Sequence, residues 1–268
     1  MKMKLLIGFS LAVFAIIGSL LFWSHAFPPT PDIGQMIKHA KQVVKEARAT
    51  KIVYYDPKSN WTVLPKVKQV KDRKALFIAK FLPLIAEQNE RIIGQRAVAK
   101  TARPGSLRYH ALTHAYGLKT DTKRAQLLSR VDAIPISLAL AQAALESGWG
   151  TSRFAQKGHA YFGERSYNLK TPGMSPKRAS GFVVKSFPST VASIRSFMFA
   201  LNTHPAYRAL RARRAQLRAN GKKVNGLDLV PFLRAYSEIG SDYTTRIRTT
   251  IRVNKLAEFN GIDHVYTK

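Results

Sequence analysis

Residues 132–150, DAIPISLALAQAALESGWG, decide the fold of this chain. Asp132 stands near where a helix cap belongs and Pro135 in the first turn, where proline's fixed φ and missing N–H are tolerated. Ile134, Leu138, Ala141 and Leu145 then recur at helical spacing. The helix is nearly apolar all round, so it belongs in the interior of a domain. Its one charge after Asp132 is Glu146, in the last turn, just before the Gly148 and Gly150 that stop it. A carboxylate there faces the negative end of the helix dipole and apolar neighbours, and both disfavour its ionised form. That is how a general acid is held protonated near neutral pH. The bland alternative is a glutamate pointing to solvent from a frayed helix end, or paired with one of the many basic residues.

Outward from this helix the chain reads as further helices. Asp72 to Lys100 carries Leu76, Ile78, Phe81, Leu84, Ile85, Ile92 and Ile93 at near-helical spacing, with Asp72 as a cap and Pro83 expected to kink or split it. One helix and one short strand are expected between Asp32 and Val70, and two short helices between His110 and Arg130. His110 and His114 sit four apart, but the glutamate of the zinc-protease pattern is absent, so they read as ordinary histidines and no metal is expected. After the central helix, Tyr167 to Phe187 has turn residues Pro172, Gly173 and Pro176 and a strand-like GFVVKSF, which together make a small β-lobe. Helices follow from Pro188-Ser189, from Pro205 to Arg218, from Asn225 to Tyr236 and from Tyr243 to Leu256. The expected class is mainly α (α+β). The sequence has no internal repeat, phosphate loop or dinucleotide fingerprint, and no cofactor is implied.

The chain has 268 residues, 46% of them apolar, with 44 Lys+Arg against 15 Asp+Glu and a formal charge of +29. It has the material for a core, and its charge calls for a polyanion: nucleic acid, an anionic membrane face or an anionic wall polymer. The absence of cysteine excludes a disulfide scaffold, a cysteine-ligated metal site and thiol catalysis. Met1 to Lys4 is a basic cap on a charge-free run from Leu5 to Trp23, which reads as an export segment. Its nineteen residues suit an uncleaved anchor, whereas Ser24 and Ala26 stand at the spacing of a cleavage site. Everything after it is expected across the inner membrane, in the periplasm, which argues against nucleic acid as the partner. The expected organisation is a signal anchor or signal peptide over 1–26, a linker and extension over 27–71 that opens on the stiff FPPTP, and a domain over 72–268.

The segments IPISLALAQAALESGWGTSRFA and YFGERSY, then SIRSFMFALNTHPAYRALR and YSEIGSDYTTRIRTTIRVNKL, resemble the glucosaminidase domain of bacterial peptidoglycan hydrolases, glycoside hydrolase family 73. The resemblance runs from about Asp72 to Phe259 and is strongest to the Bax-like branch of bacterial glucosaminidase-domain proteins. It implies a lysozyme-like helical fold that cleaves the glycan strand of peptidoglycan at N-acetylglucosamine. Glu146 matches the family's general acid and Tyr243 its tyrosine near the site, with Asp242 a supporting candidate beside it. Trp149, Tyr161, Phe162 and Gly163 match positions that shape the cleft, and Tyr236, which opens the YSEIGSDY segment, joins them as a substrate-binding candidate. Trp149 could equally be a buried structural residue.

Two departures stand out. Where relatives usually have Asn before Phe-Gly, this chain has His159-Ala160-Tyr161. Relatives also tend to carry a second carboxylate in the β-lobe, yet no Asp or Glu occurs from Arg165 to Leu227. A glycosidase ordinarily needs an acid for the leaving oxygen and a base or nucleophile on the other face of the sugar. Glu164, directly after Phe-Gly, is the nearest candidate, and its alternative is a surface residue paired with Arg165. Three activities therefore stay open. They are an endo-β-N-acetylglucosaminidase, a single-glutamate lytic transglycosylase, and a non-catalytic module that binds anionic wall. The basic helix Pro205–Arg218 is either a solvated face or a contact for the anionic membrane or wall surface.

Overall fold

The computed structural model describes residues 32–55, 63–177, 181–237, 240–262 and 265–267. The expected export segment Leu5–Trp23 and linker start Phe27–Pro31 lie outside the described residues. The chain divides into two compact units, Met1–Met36 and Ile37–Lys268. Of the first, only residues 32–36 are described; there the Asp32 carboxylate accepts from Gly34 N at 2.8 Å. Among the described residues no helix is long and apolar enough to cross a membrane.

The elements run in order as α1 (Ile33–Thr50), β1 (Val53–Tyr55), α2 (Val70–Thr101), α3 (Leu107–Ala115), α4 (Arg124–Arg130), α5 (Ile136–Ser147) and α6 (Arg153–Gly158). Strands β2 (Arg165–Ser166), β3 (Gly173–Met174) and β4 (Val183–Lys185) come next, followed by α7 (Thr190–Thr203), α8 (Arg208–Ala219), α9 (Gly226–Leu229), α10 (Ser241–Val253) and β5 (Val265–Thr267). This is the mainly α, lysozyme-like arrangement with a small β-lobe expected from the sequence. The lobe is a three-stranded antiparallel sheet of order β2-β4-β3, and it begins at Arg165, two residues before the expected boundary.

Helix α5 is the axis of the core. Residues Ile136 to Ala144 are all buried, and α5 packs against α2, α10 and the 3-10 turn Leu256–Phe259. Pro83 neither splits nor ends α2, which is one helix of 32 residues. Leu76 to Ala86 is buried at every position but Lys80, so tertiary packing outweighs the hydrogen bond that proline removes. Asp72 does not cap α2 either. Gln69 holds that position, and Asp72 pairs with Lys41 at 2.7 Å.

Asp132 is not the cap of α5; Pro135 is, with no side-chain cap bond. The Asp132 carboxylate is 2% exposed and faces three guanidiniums: Arg218 Nε at 2.6 Å, Arg214 Nε at 3.5 Å and Arg96 Nη1 at 3.7 Å. Arg214 is fully buried and also donates to Asp132 O, Ala133 O, Ser129 O and the Asn202 amide oxygen. Burial pulls its pKa down to about 10, which still leaves it charged at neutral pH. Buried Arg211 donates to Leu201 O and His204 O. The basic helix α8 is therefore half internal: these arginines bind the chain entering α5 and the end of α7, and only the rest of its charge faces solvent.

Candidate active site

Glu146 and Gln142 lie one turn apart on the same face of α5. Gln142 Nε2 donates to the Tyr243 hydroxyl at 3.0 Å, and that hydroxyl donates to the Glu146 carboxylate. Burial pushes Glu146 up from the ordinary carboxylate range, while the Tyr243 bond and the Arg165 charge pull it down; burial wins. Burial, then the Glu146 charge, push the Tyr243 phenol far above its usual value, so it serves as a neutral donor.

The chain leaves α5 through three successive left-handed residues, Gly148 (φ 58°), Trp149 (φ 57°) and Gly150 (φ 79°). Such a backbone costs a non-glycine residue about 1–2 kcal/mol, and Trp149 bears it. Its N–H reaches back to Ala144 O at 2.8 Å, and its ring meets Phe77 edge-on at 5.4 Å beneath the Lys74 ammonium. A side chain at Gly150 would strike Leu64 at 2.9 Å, so the turn is seated directly on the core.

Facing Glu146 is the Phe162-Gly163-Glu164 segment. Gly163 is left-handed (φ 62°), and a Cβ there would lie 2.8 Å from Glu146 Oε2, so only glycine leaves the carboxylate its space. Phe162 stacks on Phe197 at 4.0 Å, and its carbonyl accepts from the Tyr236 hydroxyl at 2.7 Å. Tyr236 in turn stacks on Tyr243 at 5.3 Å, which makes the aromatic wall one packed unit. Glu164 is 13% exposed, and its Oε2 accepts from Ser196 Oγ at 2.8 Å and Lys185 Nζ at 3.5 Å. Burial raises its pKa, against Ser196 and Lys185.

These groups line a cavity of about 380 Å³ that holds Glu146, Gly163 and Glu164 together with Arg165, Lys185 and Tyr207. Burial pushes the Tyr207 phenol up to about 12, helped by the charges of Glu164 and Glu146, which it faces. Phe162 and Tyr236 line the cavity too, and Tyr243 supports Glu146 from behind. Trp149 and Tyr161 do not reach it. Trp149 packs on Phe77, and buried Tyr161 stands edge-on to Phe81 and accepts from Lys80 Nζ at 2.9 Å. Adjacency in a motif did not fix the direction of these side chains. His159 lines a separate cavity beside Lys80, and Asp242 is exposed in the first turn of α10. Sequence reasoning missed Tyr207, Lys185 and Ser196. The first and last lie inside the SIRSFMFALNTHPAYRALR segment, where they could have been sought. Among the described residues no group of three His, Asp or Glu could hold a metal.

The Glucosaminidase family, described as mannosyl-glycoprotein endo-beta-N-acetylglucosaminidase, matches residues 122–256, half of the chain and every residue that lines the cavity. The chain belongs to this family. Protein bax of Escherichia coli strain K12 is 32% identical to this glucosaminidase-family chain over 183 residues. That match takes in 64% of the chain and 66% of protein bax, just under two thirds of its length. No solved structure matches the chain.

Proposed function

We propose that this chain is a peptidoglycan hydrolase, an endo-β-N-acetylglucosaminidase with Glu146 as its general acid. The observation that carries the reading is the setting of Glu146 at the wall of the cavity. Burial favours its protonated form, and the neutral Tyr243 phenol is aimed at it, so it can donate a proton to a glycosidic oxygen and then hold the resulting charge. Glu164 is the second carboxylate of the proposal, because it lines the same cavity; burial raises its pKa, and the Ser196 and Lys185 contacts work against that rise. Tyr236 offers apolar surface to the sugars, backed by the buried Phe162–Phe197 stack, and Gly163 lets the strand pass close to the acid. The reading includes export, resting on the Leu5–Trp23 run, with the domain held in the periplasm beside an anionic membrane and the wall. The +29 charge suits both surfaces.

One observation favours a second reading. Glu164 Oε2 is engaged by Ser196 and Lys185, and its Oε1 is buried without a hydrogen bond, so neither oxygen is free to activate water. A single-acid lytic transglycosylase needs only Glu146 and releases anhydro ends. A zymogram on cell-wall sacculi tests both readings, with the parent, Glu146→Gln and Glu164→Gln side by side. Hydrolysis requires loss of clearing in both variants and reducing ends in the digest. Clearing by Glu164→Gln with anhydro-muramyl products selects the transglycosylase. A Glu146→Gln protein that clears like the parent removes both.

A further inference from the structure

The cavity that holds Glu146 is the first of three that adjoin along α7. A second, of about 440 Å³, shares Glu164, Lys185, Ala200 and His204 with it. A third, of about 270 Å³, meets the second at Phe199. Phe199 is 46% exposed although it is a large apolar ring, and it is the wall common to these two cavities. The third cavity is lined by Arg91 and Arg195 and by no acidic residue. At its side lies Gln88, 4% exposed, whose Nε2 has no hydrogen-bond partner while its Oε1 accepts from Arg195 Nε. The track thus leads from the carboxylates at Glu146 and Glu164 to an aromatic ring and then to a pocket whose charged groups are both cationic.

This pattern has a chemistry. A sugar's apolar face packs on an aromatic ring, as other apolar faces do. Guanidinium groups pair with carboxylates, and an unpaired buried donor favours an acceptor-rich ligand. A peptidoglycan strand presents both partners, its sugars in line and its short peptides ending in carboxylates. We propose that α7 forms an extended binding track on which Phe199 stacks a sugar of the strand while Arg91 and Arg195 hold carboxylates of its stem peptides. This rests on the glycan-cleaving reading above and adds that the enzyme selects peptide-bearing over denuded glycan.

The test measures binding in the Glu146→Gln background, so that the substrate survives. The probes are intact sacculi and sacculi stripped of their peptides by an amidase. The parent should bind the intact form roughly fivefold more tightly, the sum of two partly exposed ion pairs. Arg91→Gln/Arg195→Gln and Arg91→Ala/Arg195→Ala should each bring that ratio to about one, because both remove the charge and only the second shortens the side chain. Phe199→Ala should weaken both forms about five- to tenfold. The proposal falls if the parent binds both forms alike, if the double variants keep the preference, or if Phe199→Ala binds as the parent does. Wall clearing by the unsubstituted protein alongside any of those results removes this proposal alone. A protein that neither clears wall nor binds either form removes the enzymatic reading with it.

Discussion

Asp132→Asn is the substitution most informative about how this fold holds α5, the helix that carries Glu146. The change keeps the shape of the side chain and removes one negative charge that is 2% exposed. Three guanidiniums then lose the carboxylate that they face, and Arg214 among them is fully buried. Arg218 is 38% exposed and can turn to water, so its close contact contributes little despite its 2.6 Å length. Arg214 cannot escape, because its remaining donors are fixed on Asp132 O, Ala133 O, Ser129 O and Asn202. Breaking a buried pair from one side typically costs about 3–5 kcal/mol, since the other charge stays buried. For a body of this size that corresponds to a fall of roughly 6–20 °C in Tm, measured by circular dichroism or calorimetry. Adding Arg214→Met should recover much of the loss, as the uncompensated charge is then gone. A Tm for Asp132→Asn within about 2 °C of the parent, or no recovery in the double variant, would refute the idea that Asp132 is the counter-charge of α8.

Three more outcomes follow from the site. Gly163→Ala places a methyl 2.8 Å from Glu146 Oε2 at a left-handed position, and it should cost about 1–2 kcal/mol of stability and most of the activity, read by Tm and by wall clearing. Tyr243→Phe removes a hydrogen bond that lowers the Glu146 pKa, so that pKa rises and the alkaline limb of the kcat/KM profile moves to higher pH; a shift to lower pH contradicts the assignment. Lys185→Met removes a cation that lowers the Glu164 pKa. If Glu164 is the base, the acidic limb must move to higher pH, and an unmoved limb with activity retained points to the single-acid route.

The central helix, the position of Glu146 at its end, the glycine stop and the β-lobe were all legible in the sequence, because each is local: helical spacing, a terminal carboxylate, turn residues. Ser189 capping α7 through Ala192 N is of the same kind. What escaped depends on partners far along the chain. Asp132 carries the marks of a cap until Arg218, 86 residues on, claims it. Pro83 carries the marks of a break until the burial around it holds the helix together. Trp149 and Tyr161 sit in the motifs yet face α2, a direction set by backbone geometry that one-dimensional adjacency does not encode. The strand β5 gave no signal, because three residues need their partner to become a strand.

That partner is β1, with which β5 pairs in parallel, Val53 against Val265. A pair so distant in sequence closes nearly the whole domain into one loop, and its entropy is lost before the contact is won. Helices α2 and α5 can form early, yet β1, whose sheet partner among the described residues is β5, stays unpaired until that distant segment docks. The seam therefore ties two distant stretches of the chain: a variant without β5 keeps Glu146 and Glu164 but leaves the β1 edge unpaired and open to strands of other molecules.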